Sequence, residues 1–294
     1  MRDLKGIYTA LLTPFCKDGE VNEKELVRLI KHNLKLGVDG FYVCGSTAEA
    51  LMLSAEQRKQ IMRVVRDNAE GARLIAHIGS LNESEAHELG AYARELNYDL
   101  ISSVAPFYYK FSISEIRDYY IRLAESSGMK MLVYHMPAFS GVGMGFEDMS
   151  SFLGDDRFAG IKYTSGDFFT MERCKALYPD KLIFNGYDEM LMSGLAMGAD
   201  GGIGSTYNFM ADKFVLIRKL FLEGKAEEAR RVQNEANRII TVLCKIGVMQ
   251  AEKEIMNQLG MEFGDCRPPF SKISDDNKRL IATEIIPYIR KLEV

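Results

Sequence analysis

The sequence predicts an α/β fold, namely a closed (β/α)8 or TIM barrel with additional C-terminal helices. Short apolar runs that are rich in β-branched and aromatic residues recur eight times along the chain. Amphipathic stretches with helical periodicity separate these runs, an alternation that is typical of βαβ units and a parallel sheet. The chain has 294 residues, and a barrel of this kind usually needs about 250.

The eight apolar runs are the predicted strands, and helices are predicted between them. In chain order the strands are residues 6–12, 40–44, 74–78, 100–104, 131–135, 160–163, 182–184 and 201–203. Helical periodicity is clear over residues 22–36 and 54–69, where Ser54 precedes the second stripe as an N-cap residue. Two or three further helices are predicted over residues 227–248, 251–259 and 276–292. We therefore expect a barrel in residues 1–224 and a helical extension packed on it in residues 225–294.

An open, doubly wound parallel sheet is the alternative that the same order of strands and helices permits. Such a sheet would carry a glycine-rich fingerprint after its first strand, whereas residues 13–19 are TPFCKDG. Residues 141–145, with the sequence GVGMG, do not form the G-x-G-x-x-G motif and are interpreted as a flexible loop. The sequence therefore favours the closed barrel and predicts no nucleotide cofactor.

The composition is typical of a globular protein from a reducing compartment. The formal net charge is −4, and no dense stripe of lysine and arginine indicates a nucleic-acid partner. The cysteines include no C-x-x-C pair and the histidines have no metal-binding spacing, so neither disulfides nor a metal is predicted. The charged N-terminal residues do not resemble a signal peptide, and no apolar run approaches the roughly 18 residues that span a membrane. We expect a cytoplasmic protein.

Polar residues follow five of the eight apolar runs, at the end of the barrel where active sites lie. Lys162 is the most informative of them, because a strand covered on both faces buries its side chain, which costs several kcal/mol if the amine stays charged. Burial favours the neutral amine of a lysine, which can attack a ketone or aldehyde to form a Schiff base. The alternative is a lysine that reaches water or pairs with a carboxylate at the strand end.

Other strand-end groups permit both a functional and a structural interpretation. Tyr134, on the neighbouring strand, suits proton transfer to and from a carbinolamine, but it would also fit as a core tyrosine. The turn GST at residues 45–47 offers hydroxyls and N–H groups to a carboxylate or phosphate, but such turns are common. The glycine-rich residues 198–205 permit a phosphate site. Asp188 and Glu189 instead suit a polyhydroxylated ligand, or simply begin a helix.

As a set, these motifs resemble those of the N-acetylneuraminate lyase family, a branch of the dihydrodipicolinate synthase group of class I aldolases. They are GSTxE after strand 2, YHxP at strand 5, GIKYTSGD at strand 6, NGYDE after strand 7 and GADGGIGSTYN around strand 8. The resemblance extends in register from about residue 6 to residue 208. It implies a (β/α)8 barrel, usually a homotetramer, that cleaves N-acetylneuraminate reversibly to N-acetylmannosamine and pyruvate without a cofactor.

The resemblance also implies a role for each matching residue. Lys162 would form the Schiff base with the keto carbon, and Tyr134 would shuttle protons together with the substrate carboxylate. Ser46 and Thr47 would hold that carboxylate. Tyr108 matches a tyrosine at the entrance of the active site, near a subunit boundary. The positions that match binding sites for sugar hydroxyls are Thr164, Gly186, Asp188, Glu189 and Ser205.

Ala48 departs from the family pattern, because the family usually has glycine at this position. If the position needs a positive φ, alanine costs roughly 1 kcal/mol or more, and we predict that Ala48 is tolerated with a modest loss.

Three rival functions stay open: an aldolase for another 2-keto-3-deoxy sugar acid, a phosphate-sugar enzyme, and a non-catalytic sugar-acid sensor. Synthases of the same group place an arginine shortly after the strand-5 motif to hold a second carboxylate. Residues 137–142 contain no arginine, and this disfavours aspartate semialdehyde as a substrate.

Overall fold

Eight parallel strands close into a barrel in the computed structural model, so the predicted fold is confirmed. The structure describes residues 3–289. Successive strands are neighbours around the barrel, and the eighth strand pairs with the first to close it. The strands are β1 Gly6–Ala10, β2 Gly40–Val43, β3 Arg73–His77, β4 Leu100–Val104, β5 Met131–His135, β6 Phe158–Tyr163, β7 Leu182–Asn185 and β8 Gly201–Gly204. The largest differences from prediction are at β1, which ends two residues early, and β6, which begins two residues early.

Helices connect the strands and continue after β8. They are α1 Glu23–Lys35, α2 Ala55–Asn68, α3 Glu83–Glu95, α4 Ile113–Ser127, α5 Pro137–Ser140, α6 Phe146–Leu153, α7 Phe168–Leu177, α8 Leu191–Ala196, α9 Tyr207–Leu222, α10 Ala226–Ile246, α11 Val248–Gln258 and α12 Asp275–Glu284. The last helix is shorter than predicted, because Pro287 cannot donate the backbone hydrogen bond that would extend it. A short 3-10 turn, Ile286–Tyr288, follows instead. The predicted helical residues 290–292 lie outside the described residues.

The interior of the barrel forms a small core of its own. Because side chains alternate along a strand, Tyr8 and Ala10 of β1 point inward, whereas Ile7 packs in the larger core outside the sheet. The barrel interior is therefore filled by side chains, as expected for eight strands. Its members are Leu4, Tyr8, Ala10, Tyr42, Ile75, Leu100, Leu132, Tyr134, Phe184 and Ile203.

The helices after β8 contact loops at the C-terminal ends of the strands. Gln233 of α10 donates to the backbone oxygen of Asp188, which follows β7, at 3.1 Å. Lys253 of α11 forms an ion pair with Glu49, which follows β2, at 2.5 Å. We propose, on these contacts, the predicted division into a barrel, 1–224, and a packed extension, 225–294. No helix within residues 3–289 is long and apolar enough to cross a membrane.

Candidate active site

Lys162 lies inside the barrel near the C-terminal end of β6. Its neighbours Ile161 and Tyr163 belong to the outer core, so the alternation of the strand turns Lys162 inward. In the sheet register it stands beside Tyr134 of β5 and Phe184 of β7. Only 5% of Lys162 is exposed, and its amine makes no ion pair or hydrogen bond within the part of the chain that the structure describes. The amine is therefore buried and free of a carboxylate partner.

Two tyrosine rings cover the amine of Lys162. The distance from Nζ to the ring centroid is 3.8 Å for Tyr134 and 4.5 Å for Tyr42. The two rings stand edge to face, with 6.0 Å between centroids, and the Tyr42 hydroxyl lies 3.0 Å from Ser102 Oγ. Aromatic faces attract cations, so this position suits a positively charged imine nitrogen. The sequence predicted Tyr134 at this place but did not single out Tyr42.

A cavity of about 260 Å³ opens at this end of the barrel and includes Lys162 in its wall. Every predicted site residue except Tyr108 lines it: Ser46, Thr47, Tyr134, Lys162, Thr164, Gly186, Asp188, Glu189 and Ser205. A larger cavity of about 790 Å³ lies between the loop after β1 and the C-terminal segment, and it contains none of these residues. The smaller cavity is the candidate site because it holds the buried amine.

The turn after β2 presents two hydroxyls to the cavity. Ser46 and Thr47 belong to a 3-10 turn, Ser46–Ala48. Neither hydroxyl is used in a hydrogen bond within residues 3–289. Gly45 precedes the turn because a Cβ at this position would lie 2.6 Å from the Tyr42 ring. The two hydroxyls are thus available to a ligand on the wall formed by β2.

Ala48 does not occupy a position that needs glycine. The residue of this turn with a positive φ is Glu49, at 58°, whereas Ala48 does not have one. Ala48 is buried, and its carbonyl accepts a hydrogen bond from Thr13 Oγ1 at 3.0 Å. The condition under which alanine would strain the turn is therefore not met.

The carboxylates after β7 offer hydrogen-bond acceptors. Asp188 is 7% exposed, and the backbone N–H and hydroxyl of Thr206 donate to its Oδ2 at 2.9 and 2.6 Å. Burial raises the pKa of Asp188 to about 6, helped by the Glu189 carboxylate and opposed by the Thr206 hydrogen bonds. A Cβ at Gly204 would lie 1.9 Å from Asp188 Oδ1, so glycine makes room for this carboxylate.

Thr164 and Gly186 form a similar close pair at the ends of β6 and β7. A Cβ at Gly186 would lie 1.9 Å from Thr164 Oγ1, so a larger residue would displace this hydroxyl. Thr164 Oγ1 is buried and has no hydrogen-bond partner among the described residues. Leaving a buried hydroxyl unpaired is costly. A ligand hydroxyl in the cavity would remove this cost.

Helices α10 and α11 complete the site with residues that the sequence did not single out. The Ser205 hydroxyl is hydrogen-bonded to Glu252 Oε1 of α11 at 2.6 Å. Gln233 and Asn237 of α10 donate to the backbone oxygens of the two carboxylate residues after β7, at 3.1 and 3.0 Å. Glu252 interrupts the apolar stripe of α11 one turn after Val248. That interruption indicates a buried charged side chain, but it does not indicate which strand end this side chain meets.

Tyr108 lies apart from the cavity. It follows β4, is 86% exposed, and its ring contacts Tyr109 with 5.0 Å between centroids. Its φ of 79° is uncommon for a bulky residue. Within this chain the structure does not bring Tyr108 together with the other predicted site residues.

The chain is similar to known proteins over almost its whole length. Residues 3–286 match the model of the dihydrodipicolinate synthetase family. The N-acetylneuraminate lyase of Haemophilus influenzae is 42% identical over 287 residues, which cover 97% of this chain and 98% of that protein. The structure of CdNal from Clostridium difficile in complex with mannosamine has a TM-score of 0.94 at 39% identity, covering 98% and 100% of the two chains. The structure of N-acetylneuraminate lyase from Fusobacterium nucleatum complexed with pyruvate has a TM-score of 0.90 at 40% identity, covering 96% of this chain and 97% of that chain.

Proposed function

The chain belongs to the dihydrodipicolinate synthetase family, and from this premise we propose that it is an N-acetylneuraminate lyase. It cleaves N-acetylneuraminate reversibly to N-acetylmannosamine and pyruvate. The observation that carries the proposal is the buried amine of Lys162. This amine has no carboxylate partner among residues 3–289, lies against Tyr134 and lines a cavity rich in hydroxyls and carboxylates.

The chemistry begins when the neutral amine of Lys162 attacks the keto carbon of the open-chain substrate. Water leaves, and the product is a protonated imine. This imine accepts the electron pair of the bond between C3 and C4 while the C4 hydroxyl loses its proton, so an aldehyde departs and an enamine remains. Protonation of the enamine at C3 and hydrolysis of the imine release pyruvate and restore the amine. Tyr134, whose ring touches the amine, moves the protons together with the substrate carboxylate.

The other site residues divide the cavity into two ends. Ser46 and Thr47 hold the substrate carboxylate through their unpaired hydroxyls. Asp188 and Glu189 accept from sugar hydroxyls, and two carboxylates at this end would repel a phosphate dianion. The remaining sugar contacts in the proposal are Thr164, Gly186 and Ser205.

We extend the proposal to the assembly and location of the protein. A homotetramer would cover exposed aromatic side chains, namely Tyr108, Tyr109 and Phe139, which are 86%, 68% and 76% exposed. In such an assembly Tyr108 would stand at the site entrance near a subunit boundary. The five cysteines are free thiols, which supports a cytoplasmic location.

The proposal is tested by measuring pyruvate release from N-acetylneuraminate by the purified protein. We expect turnover in the ordinary enzymatic range of about 1–10³ s⁻¹. We also expect borohydride with pyruvate to leave a reduced adduct on Lys162. A parallel assay with a shorter 2-keto-3-deoxy sugar acid gives the specificity, and we expect a lower kcat/KM because fewer hydroxyls reach Asp188 and Glu189. Adduct formation without cleavage of N-acetylneuraminate would assign a different substrate, and no adduct at all would favour a sugar-acid sensor.

We expect Ala48→Gly to change kcat/KM for N-acetylneuraminate by less than about threefold, because the backbone at residue 48 does not need a positive φ. The same variant is expected to lower the free energy of unfolding by up to about 1 kcal/mol, since glycine increases the freedom of the unfolded chain. Steady-state kinetics and urea unfolding measure the two effects. A tenfold rise in kcat/KM would contradict this prediction and show that alanine displaces the carboxylate pocket.

A further inference from the structure

Glu252 is a buried carboxyl group directly behind the candidate site. It lies on α11, its exposed fraction is 0%, and it does not belong to the cavity wall. Its Oε1 is hydrogen-bonded to the hydroxyl oxygen of Ser205 at 2.6 Å, and Ser205 does line the cavity. Its Oε2 is buried without a hydrogen-bond partner among the described residues. Glu252 thus reaches the ligand space through one hydroxyl.

The surroundings of Glu252 do not compensate a negative charge. Within residues 3–289 no lysine or arginine pairs with it, and the adjacent Lys253 pairs with Glu49 instead. The charged or titratable groups that face it are Asp188 from the barrel and the buried Cys266 from the segment after α11. Asp188 would repel a second carboxylate. Burial raises the pKa of the Cys266 thiol to about 12, so it stays neutral.

We propose that Glu252 is a positioning residue that sets the direction of the Ser205 hydroxyl and thereby the sugar hydroxyls that this end of the cavity accepts. The inference rests on the proposed function, because it assigns Ser205 to the sugar part of the substrate. Glu252 itself touches no substrate. Its effect reaches the ligand through the 2.6 Å hydrogen bond to Ser205.

The protonation state of Glu252 decides which oxygen donates in this hydrogen bond. When Glu252 is neutral, a proton on Oε2 would have no acceptor among the described residues, whereas a proton on Oε1 can be donated to Ser205 Oγ. The hydrogen of Ser205 is then free to turn into the cavity. When Glu252 is ionised, Ser205 must donate back to Oε1 and presents only lone pairs to the ligand. Asp188 and Glu189 already supply acceptors, so a donor is what Ser205 adds.

Burial favours the neutral form of Glu252 at neutral pH. Burial raises the pKa of Glu252 to about 8, the Asp188 charge adds to this, and the hydrogen bond from Ser205 opposes it. Deprotonation above about pH 8 therefore removes the donor at Ser205. We expect the KM for N-acetylneuraminate to rise through this range in the unmodified protein.

Glu252→Gln and Glu252→Leu test the inference. Glutamine donates to Ser205 from its amide at every pH, so we expect a KM near the unmodified value at pH 7 and no rise of KM around pH 8. Leucine removes the partner of Ser205, and we expect about a tenfold higher KM for N-acetylneuraminate and N-acetylmannosamine. The KM for pyruvate and borohydride trapping at Lys162 are expected to stay unchanged, because these do not involve the sugar. The matched control is Glu254→Gln on the same helix, which bonds only Gln258 among the described residues and should leave every value unaltered.

Thermal unfolding gives a second measurement that needs no substrate. The folded pKa of about 8 lies above the unfolded value of roughly 4.3. The folded protein therefore holds the extra proton between these values, and this contribution to stability falls as the pH rises from about 4.3 to 8. The difference in Tm between Glu252→Gln and the unmodified protein should grow in favour of glutamine over this range and then level off.

Three outcomes overturn the inference. In the first, the unmodified enzyme is active and Glu252→Gln shows the same pH dependence of KM for N-acetylneuraminate. This result would remove the positioning role of Glu252 and leave the proposed function intact. In the second, Glu252→Leu has the same KM for N-acetylneuraminate and N-acetylmannosamine as the unmodified protein, and this would also remove the positioning role. An unmodified protein that releases no pyruvate from N-acetylneuraminate would instead overturn the proposed function, and the inference with it.

Discussion

Lys162→Met is expected to reduce pyruvate release from N-acetylneuraminate by about 10⁴-fold or more, because it removes the nucleophile that forms the Schiff base. Methionine has a similar length and leaves no unpaired charge. Since Lys162 forms no ion pair within the described chain, we expect the free energy of unfolding to be unchanged or slightly higher. Loss of activity with retained stability separates a catalytic lysine from a structural one.

The measurement combines pyruvate release with borohydride trapping followed by mass spectrometry. Lys181→Met is the matched control, because Lys181 is a half-buried lysine next to β7 that binds the backbone oxygens of Asp155 and Phe158. We expect the control to keep the adduct and the Lys162 variant to lose it. An adduct on another lysine, or substantial pyruvate release by Lys162→Met, would contradict the assigned role.

Lys253→Met is expected to lower the free energy of unfolding by about 3–5 kcal/mol, because it leaves the carboxylate of Glu49 buried without its cation. The side chains of Lys253 and Glu49 are 1% and 0% exposed. Glu49 has a φ of 58° and directly follows the turn that carries Ser46 and Thr47. We therefore expect a higher KM for pyruvate in the condensation direction as well.

Urea unfolding of a double-mutant cycle measures this contribution. In Glu49→Gln combined with Lys253→Met no charge is left buried, so we expect the double variant to regain a large part of the lost stability. A loss below about 1 kcal/mol in Lys253→Met would contradict the prediction. It would mean that water or another group replaces the lysine.

The fold and most of the site could be predicted from the sequence because both depend on local order along the chain. Each strand is an apolar run, and each reactive group follows its strand by a few residues, so parallel strands bring the groups to one end. Lys162 was conspicuous because it interrupts a buried strand. Ser46, Asp188 and Ser205 lie in motifs of several residues, and their positions followed once the strands were assigned.

The remaining residues of the site could not be predicted because their contacts join distant parts of the chain. Glu252 bonds Ser205 across 47 residues, and Gln233 bonds the backbone of Asp188 across 45. Nothing near these residues indicates which strand end a later helix will meet. The proposed position of Tyr108 depends on a second copy of the chain, and a single sequence does not describe that contact. Whether Ala48 strains its turn depends on which residue has the positive φ, and in the structure that residue is Glu49.

The contacts of α10 and α11 with the strand-end loops have a consequence for the synthesis of the protein. A ribosome that has released residues up to 224 has exposed all eight strands, together with Lys162 and Tyr134. Three residues that contact the strand-end loops are still to be translated. They are Glu252, Lys253 and Gln233, which bind Ser205, Glu49 and the backbone of Asp188 respectively. A nascent barrel therefore carries the nucleophile before it carries the support for the substrate. The complete set of contacts that supports the substrate is therefore in place only after α10 and α11 have been translated.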